Sequence, residues 1–166
     1  MAALSDYLES GLLHHVFRGE IFNRPSGIAI ALCSGVPKDS DTGVNQQKGG
    51  DLPELPSGDG TNSSGYSREF LGDPTAAATT DTPGKDAWSY STEDNTAGSG
   101  IIKNARQITF DTALYDWGYV SGIAIIDSGE YGVGNLLMHA ALDNPRVIYK
   151  GDSVKFDMSS LQISFK

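Results

Sequence analysis

The sequence predicts an antiparallel β-sandwich of roughly eight strands, carrying one N-terminal amphipathic helix and long acidic loops. Three observations lead there. The last third, from Trp117 onward, is a series of short apolar runs separated by polar turns, with no helical period. Ile123–Ile126 and Leu136–Met138 are continuous apolar runs, as in strands buried on both faces. Leu161, Ile163 and Phe165 instead alternate with Gln162, Ser164 and Lys166, as in a strand with one face inward. Asp-Ser-Gly, Asp-Asn-Pro and Lys-Gly-Asp stand between the runs, and these are residues that tight turns favour.

The chain is expected to form a single domain over residues 1–166, long enough for a real core. At its start, Leu4, Leu8, Leu12 and Val16 recur at helical spacing, with Tyr7, Leu13 and Phe17 widening the stripe. That pattern predicts a helix over about residues 5–18 with one buried face. Ser5 or Asp6 suits its start, and Arg18 followed by Gly19 suits its end. The stretch Asn23-Arg24-Pro25-Ser26-Gly27 then leads into the first apolar strand. The sandwich core is expected in residues 27–33, 65–71 and 101–166, interrupted by long loops over 34–64 and 72–100.

Those loops concentrate the charge. From Ser34 to Ser99 there are 11 acidic and 4 basic residues, which accounts for most of the net charge of −9. Loops of such length inside a compact domain are functional or disordered, and ordering so many Gly and Thr residues is costly. Residues 38–64 and 72–100 are therefore expected to be mobile in the isolated chain and to order along a neighbouring subunit. Asp39, Asp41, Asp51 and Asp59 would then face basic groups of that neighbour.

Composition also excludes several function classes. An acidic surface repels phosphate backbones, so no nucleic-acid partner is expected. No apolar run is long enough to span a bilayer, and MAALSDYLES has acidic rather than basic residues before its first apolar cluster, so neither a membrane role nor a signal peptide is expected. A single cysteine, Cys33, gives neither an internal disulfide nor a zinc cluster; closing the run from Ile28 to Leu32, it reads as a small buried hydrophobe.

No catalytic, cofactor-binding or metal-ligating residue is assigned. His14 and His15 point about 100° apart on a helix and cannot share a metal as an i, i+4 pair does, and His139 lies inside a strand-like run; all three read as structural. There is no Gly-x-Ser-x-Gly elbow and no phosphate loop. The run Asp39-Ser40-Asp41-Thr42-Gly43-Val44-Asn45 resembles the opening of a calcium loop. An EF-hand needs its glycine one place later, however, and a Glu where Gly50 stands, so a solvated turn is the better reading. Asp127 and Glu130 flank a turn and read as solvated rather than as a hydrolytic pair. Tyr115, Trp117 and Tyr119 alternate and would share one strand face, either as a platform for sugar rings or, the favoured reading, as a row packed into the core. Trp88 and Tyr90 pose the same question.

Taken together, three stretches resemble a family of small structural proteins of tailed bacteriophages, variously described as tail-fibre-like or capsid cement (decoration) proteins. LSDYLESGLLHHVFRGEIFNRPSGIAIALCSGVP is similar to that family's helix, aromatic-Pro turn and first strand, and GYSREF at 65–70 to its Gly-Tyr-x-Arg strand. Residues 108–165 follow its order of elements through Trp117-Gly118, Ile123–Asp127, Gly134–Leu137, Ala141-Leu142, Pro145-Arg146 and Gly151-Asp152. The match breaks across 38–64 and 72–100.

The resemblance implies a jelly-roll-like sandwich on a virion, without enzymatic activity or a cofactor. The expected role is a capsid cement protein on the outer surface of the capsid, assembled in the bacterial cytoplasm, with the major capsid protein and further copies of itself (a homodimer or homotrimer) as partners. The alternative is a tail or tail-fibre component binding host surface glycans.

Overall fold

The computed structural model describes residues 3–57, 63–90 and 101–164. Among them are the strands β1 (Ala3–Leu4), β2 (Ile28–Cys33), β3 (Glu69–Gly72), β4 (Trp88–Tyr90), β5 (Ile101–Asn104), β6 (Ile108–Thr109), β7 (Gly118–Ile126), β8 (Leu136–Ile148), β9 (Lys155–Phe156) and β10 (Gln162–Ser164). One helix, α1 (Asp6–Arg18), lies between β1 and β2. The protein is mainly β, as predicted, and every pairing between these strands is antiparallel. A five-stranded sheet has the order β1-β8-β7-β2-β3; a three-stranded sheet has the order β10-β5-β4; β6 and β9 form a ribbon.

The centre of the large sheet is β2 against β7, in register from Ala29↔Ile126 to Cys33↔Gly122. Alternate residues of these strands go to opposite faces. Ile30, Leu32, Ile123 and Ile125 meet Ile163, Val154, Ile108 and Phe110 from the smaller sheets and their flanks, forming the sandwich core. Ala31, Cys33, Ala124, Ile126 and Leu136 line the other face, where Leu52 from the long loop covers them. Burial on both faces is why these strands read as unbroken apolar runs.

The loops differ from the sequence expectation. Residues 38–57 do not wait for a neighbour: Leu52 and Leu55 are fully buried, Ser34 N donates to Pro53 O at 2.8 Å, and Leu55 N donates to Leu32 O at 3.0 Å. The loop is a lid on the second face of the sheet. Residues 72–100, read as one loop, contain β4, whose Trp88 pairs with Asn104 of β5; three residues among Gly, Thr and Asp are too short a signal to stand out. Residues 58–62 and 91–100 lie outside the described residues, so the expectation for Asp59 does too. Asp143-Asn144-Pro145 is not a turn between strands but an excursion within β8, where the register jumps from Val120↔Arg146 to Gly122↔Ala141.

Helix α1 has the predicted ends. Ser5 caps it by accepting from Leu8 N, and Gly19, at φ 70°, closes it by donating to His14 O. Its predicted buried face is the part that differs, because no residue of α1 is buried. Leu4 and Leu8 touch the core and Tyr7 packs on Phe22 at 5.8 Å, which leaves Leu12, Leu13, Val16 and Phe17 turned outward.

The core assignment makes Ile125 a sharp probe. Ile125→Asp places an unpaired carboxylate between the sheets and is expected to cost on the order of 4 kcal/mol, read as a lowered urea midpoint. A midpoint matching the parent protein would overturn the placement of the core.

Candidate functional site

Ionisable and polar side chains converge at one place inside the protein, between the lid and the sheet. Arg68 and Glu54 are both fully buried there, with Arg68 Nε and Nη2 each 2.8 Å from one carboxylate oxygen. The remaining guanidinium hydrogens go to Ser128 O at 3.1 Å, Val133 O at 2.7 Å and Gly43 O at 2.7 Å. The carboxylate also accepts from Tyr66 Oη at 3.2 Å and Asn45 Nδ2 at 2.9 Å. Every donor of Arg68 is used, as a buried guanidinium requires. Gly43 is glycine for a steric reason: a Cβ there would lie 2.6 Å from the backbone of Gly134.

This arrangement holds rather than reacts. Burial, with the Glu54 charge beside it, pushes the Tyr66 hydroxyl well above its ordinary range. Burial does the same to the Cys33 thiol, again reinforced by Glu54. Cys33 is thus the buried small hydrophobe the sequence suggested. The cluster itself escaped sequence reading. Tyr66 and Arg68 were placed in a strand, whereas β3 begins at Glu69 and both residues lie just before it. The signal was faint: an Arg two residues from a Tyr, and a lone Glu54 between Leu52 and Leu55.

The other candidates are dispersed. His14 Nδ1 lies 3.2 Å from Glu20 Oε2, and His15 Nδ1 lies 2.9 Å from Glu20 O. His139 is buried with Nε2 at 2.8 Å from Asp39 Oδ1, which ties the lid to β8. In the calcium-like run, Asp41 accepts from Lys38 N and Thr42 from Val44 N, while Asn45 goes to Glu54; these oxygens turn to separate partners. Asp39 and Asp41 are therefore engaged within the chain, and Asp51 is exposed. Asp127 accepts from Asn135 N and Nδ2, closing the β7–β8 turn, while Glu130 is exposed. No helix among the described residues is long and apolar enough to cross a membrane.

The aromatic row is split. Trp117 is only 4% exposed and donates to Ser64 O at 2.8 Å, whereas Tyr115 and Tyr119 are exposed. Tyr115 and Trp117 precede β7, which begins at Gly118 with φ 84°, so the three do not share one strand face. Tyr119 pairs with Val147, and with Val120 and Ile148 buried, Tyr119, Val147 and Tyr149 lie outward on the same side. Tyr115 sits under Lys150 Nζ at 5.7 Å. Trp88 packs partly into the core, and the side chain of Tyr90 lies outside what the structure describes. Among the described residues, apolar and aromatic side chains face solvent on the outer side of α1 and at the Gly118 end of β7, among other places.

Residues 3–164 match the family model described as podophage GP4 fiber I protein gp80. The chain belongs to this Gp80 family. Among curated proteins the comparison finds no match. Gp80 membership makes the chain a bacteriophage structural protein.

Two measurements check the cluster. Arg68→Met leaves the Glu54 carboxylate buried and unpaired and is expected to cost about 3–5 kcal/mol in urea unfolding; adding Glu54→Leu should recover part of that loss, and a double variant worse than the single would contradict the pairing. The second check is pH. Tyr66 and Cys33 titrate above their ordinary values of 10.0 and 9.0 when folded. Their neutral forms favour the native state, so this contribution is complete below about pH 9 and declines as pH rises further and the unfolded chain ionises first. The urea midpoint should fall between pH 9 and 11, and less steeply in Tyr66→Phe.

Proposed function

We propose that this chain is a non-enzymatic structural component of a phage virion, built into a fibre. The observation that carries this reading is the match of residues 3–164 to a family described by a fibre protein. A β body whose buried Arg68–Glu54 pair is sealed from solvent, and which leaves some apolar and aromatic side chains on its surface, supports it. The capsid cement reading uses the same body elsewhere on the particle, bound across copies of the major capsid protein, and the family description favours the fibre over it.

The tyrosine surface supports a specific task for a fibre. Tyr119 and Tyr149 offer aromatic faces beside exposed polar groups, an arrangement on which sugar rings stack. Host surface glycan is then the ligand of this end of the sandwich, with Tyr119 and Tyr149 rather than the buried Trp117 as the platform.

Gold-labelled antibody against the chain, applied to intact particles, tests the location. Label on fibres is expected; label spread over the capsid facets would replace this reading with the cement one. Tyr119→Ala combined with Tyr149→Ala should leave melting unchanged and lower binding to host polysaccharide at least about tenfold. Unchanged binding would remove the glycan task.

A further inference from the structure

We infer that the groove beside β3, between the loop at residues 79–83 and the turn from β5 to β6, is a contact site for one neutral sugar residue, read by hydrogen bonds rather than by stacking. This goes beyond the tyrosine platform proposed above while resting on the same reading, that the ligand is a glycan. The groove has a volume of about 150 Å³. That is smaller than a pocket enclosing a whole drug-sized ligand, so it takes a single residue of a longer chain. Leu71 and Ile108 are its buried apolar lining, and Glu69, Arg106, Thr80 and Asp81 are its polar one.

Glu69 is the informative residue. It pairs with Ile30 of β2, and Leu71 two places on is in the core, so strand alternation turns Glu69 toward the space between the sheets. Phe70 takes the opposite face, against Gly27 and Gly129. A carboxylate at such a position ordinarily finds a donor. No described residue donates to Glu69, and burial, then the charge of Asp111, raises its carboxyl above its ordinary value. The free fold therefore bears a cost here that a ligand supplying donors removes, and departures of this kind mark functional positions.

The opposite charge in the groove is Arg106, and the two do not form an ion pair. Arg106 reaches Asp86 only at 4.0 Å, and its guanidinium makes no hydrogen bond to a described acceptor. Glu69 thus offers acceptors, and Arg106 donors, to one space. A simple cation would satisfy Glu69 and be repelled by Arg106, and a simple anion the reverse. A neutral hydroxyl both donates and accepts, so two hydroxyls on adjacent carbons answer both groups at once. Thr80 and Asp81 add a further hydroxyl and carboxylate from the loop, and no aromatic ring lines the groove. The loop wall is held without a ligand: Thr79 Oγ1 accepts from Asp81 N at 3.2 Å and from Thr82 N at 3.0 Å.

Ligand-observed NMR of the full chain with the methyl glycosides of glucose, galactose and mannose, each alone, tests this. At least one should bind with a dissociation constant of about 1–10 mM. Glu69→Ala and Arg106→Ala should each weaken that binding at least about tenfold, and it should survive Tyr119→Ala combined with Tyr149→Ala. Glu69→Gln keeps the shape and removes the unpaired charge, so at pH 7 it should raise the melting temperature. No binding by any of the three glycosides, binding indifferent to Glu69→Ala, binding lost with the tyrosines, methylammonium displacing the sugar at equal concentration, or a lowered melting temperature for Glu69→Gln would each overturn the inference. The two glycan readings fail separately: an empty groove leaves the tyrosine test on host polysaccharide standing, and idle tyrosines leave the groove standing.

Discussion

The structure depends on one buried ion pair. Arg68 and Glu54 join the lid to the segment before β3, and through Ser128 O and Val133 O they also fasten the turn between β7 and β8. Three chain segments far apart in sequence are thereby locked at one point. A buried pair of this kind contributes little net stability compared with apolar residues of the same shape. Its effect is on placement. Any arrangement that separates the lid from the sheet strands a charge in an apolar interior, which costs far more than the pair itself supplies. The polar, glycine-rich lid has little apolar area to hold it, so this penalty for every other arrangement selects the observed one.

The lid in turn explains the sheet. β2 and β7 carry apolar residues on both sides, and without a cover the face made by Ala31, Cys33, Ala124, Ile126 and Leu136 would be exposed beside an open edge. Leu52 closes it, while Asn45 and Tyr66 donate to the buried Glu54 carboxylate. The high proton affinity of Tyr66 and Cys33 is a consequence of this closure rather than of catalytic tuning, since neither group faces a cleft. A residue can have strongly perturbed acidity and still be structural.

What was legible in the sequence follows from the range of the interactions concerned. The ends of α1 were readable because Ser5 and Gly19 act within a few residues of themselves, and the runs Ile28–Cys33 and Ile123–Ile126 because burial on both faces leaves every position apolar. The pairing of Arg68 with Glu54 was not, since its partners are separated by a stretch of Pro, Gly and Ser with no period. Reading that stretch as a mobile arm was reasonable from composition and fails because a single buried charge pair, with four or five backbone bonds, outweighs composition. The core reading of the aromatic row holds for Trp117 and fails for Tyr115 and Tyr119, because β7 begins only at Gly118 and strand alternation does not extend back to Tyr115 and Trp117.

The helix shows the opposite case, where periodicity was read correctly and its meaning was not. An apolar stripe at helical spacing says that a surface will be covered, without saying by what. In this chain only the start of α1 is used by the sandwich: Leu8, with Leu4 of β1, packs against the core, and Phe22 folds back over Tyr7 and Gly11. The rest of the stripe remains outside while a net charge of −9 keeps separate molecules apart in solution. These two features act against each other at different ranges. Like charge weakens approach over a Debye length of about 8 Å at physiological ionic strength, whereas apolar contact acts only once the surfaces meet. Contact between this stripe and an equally acidic surface would therefore gain from salt.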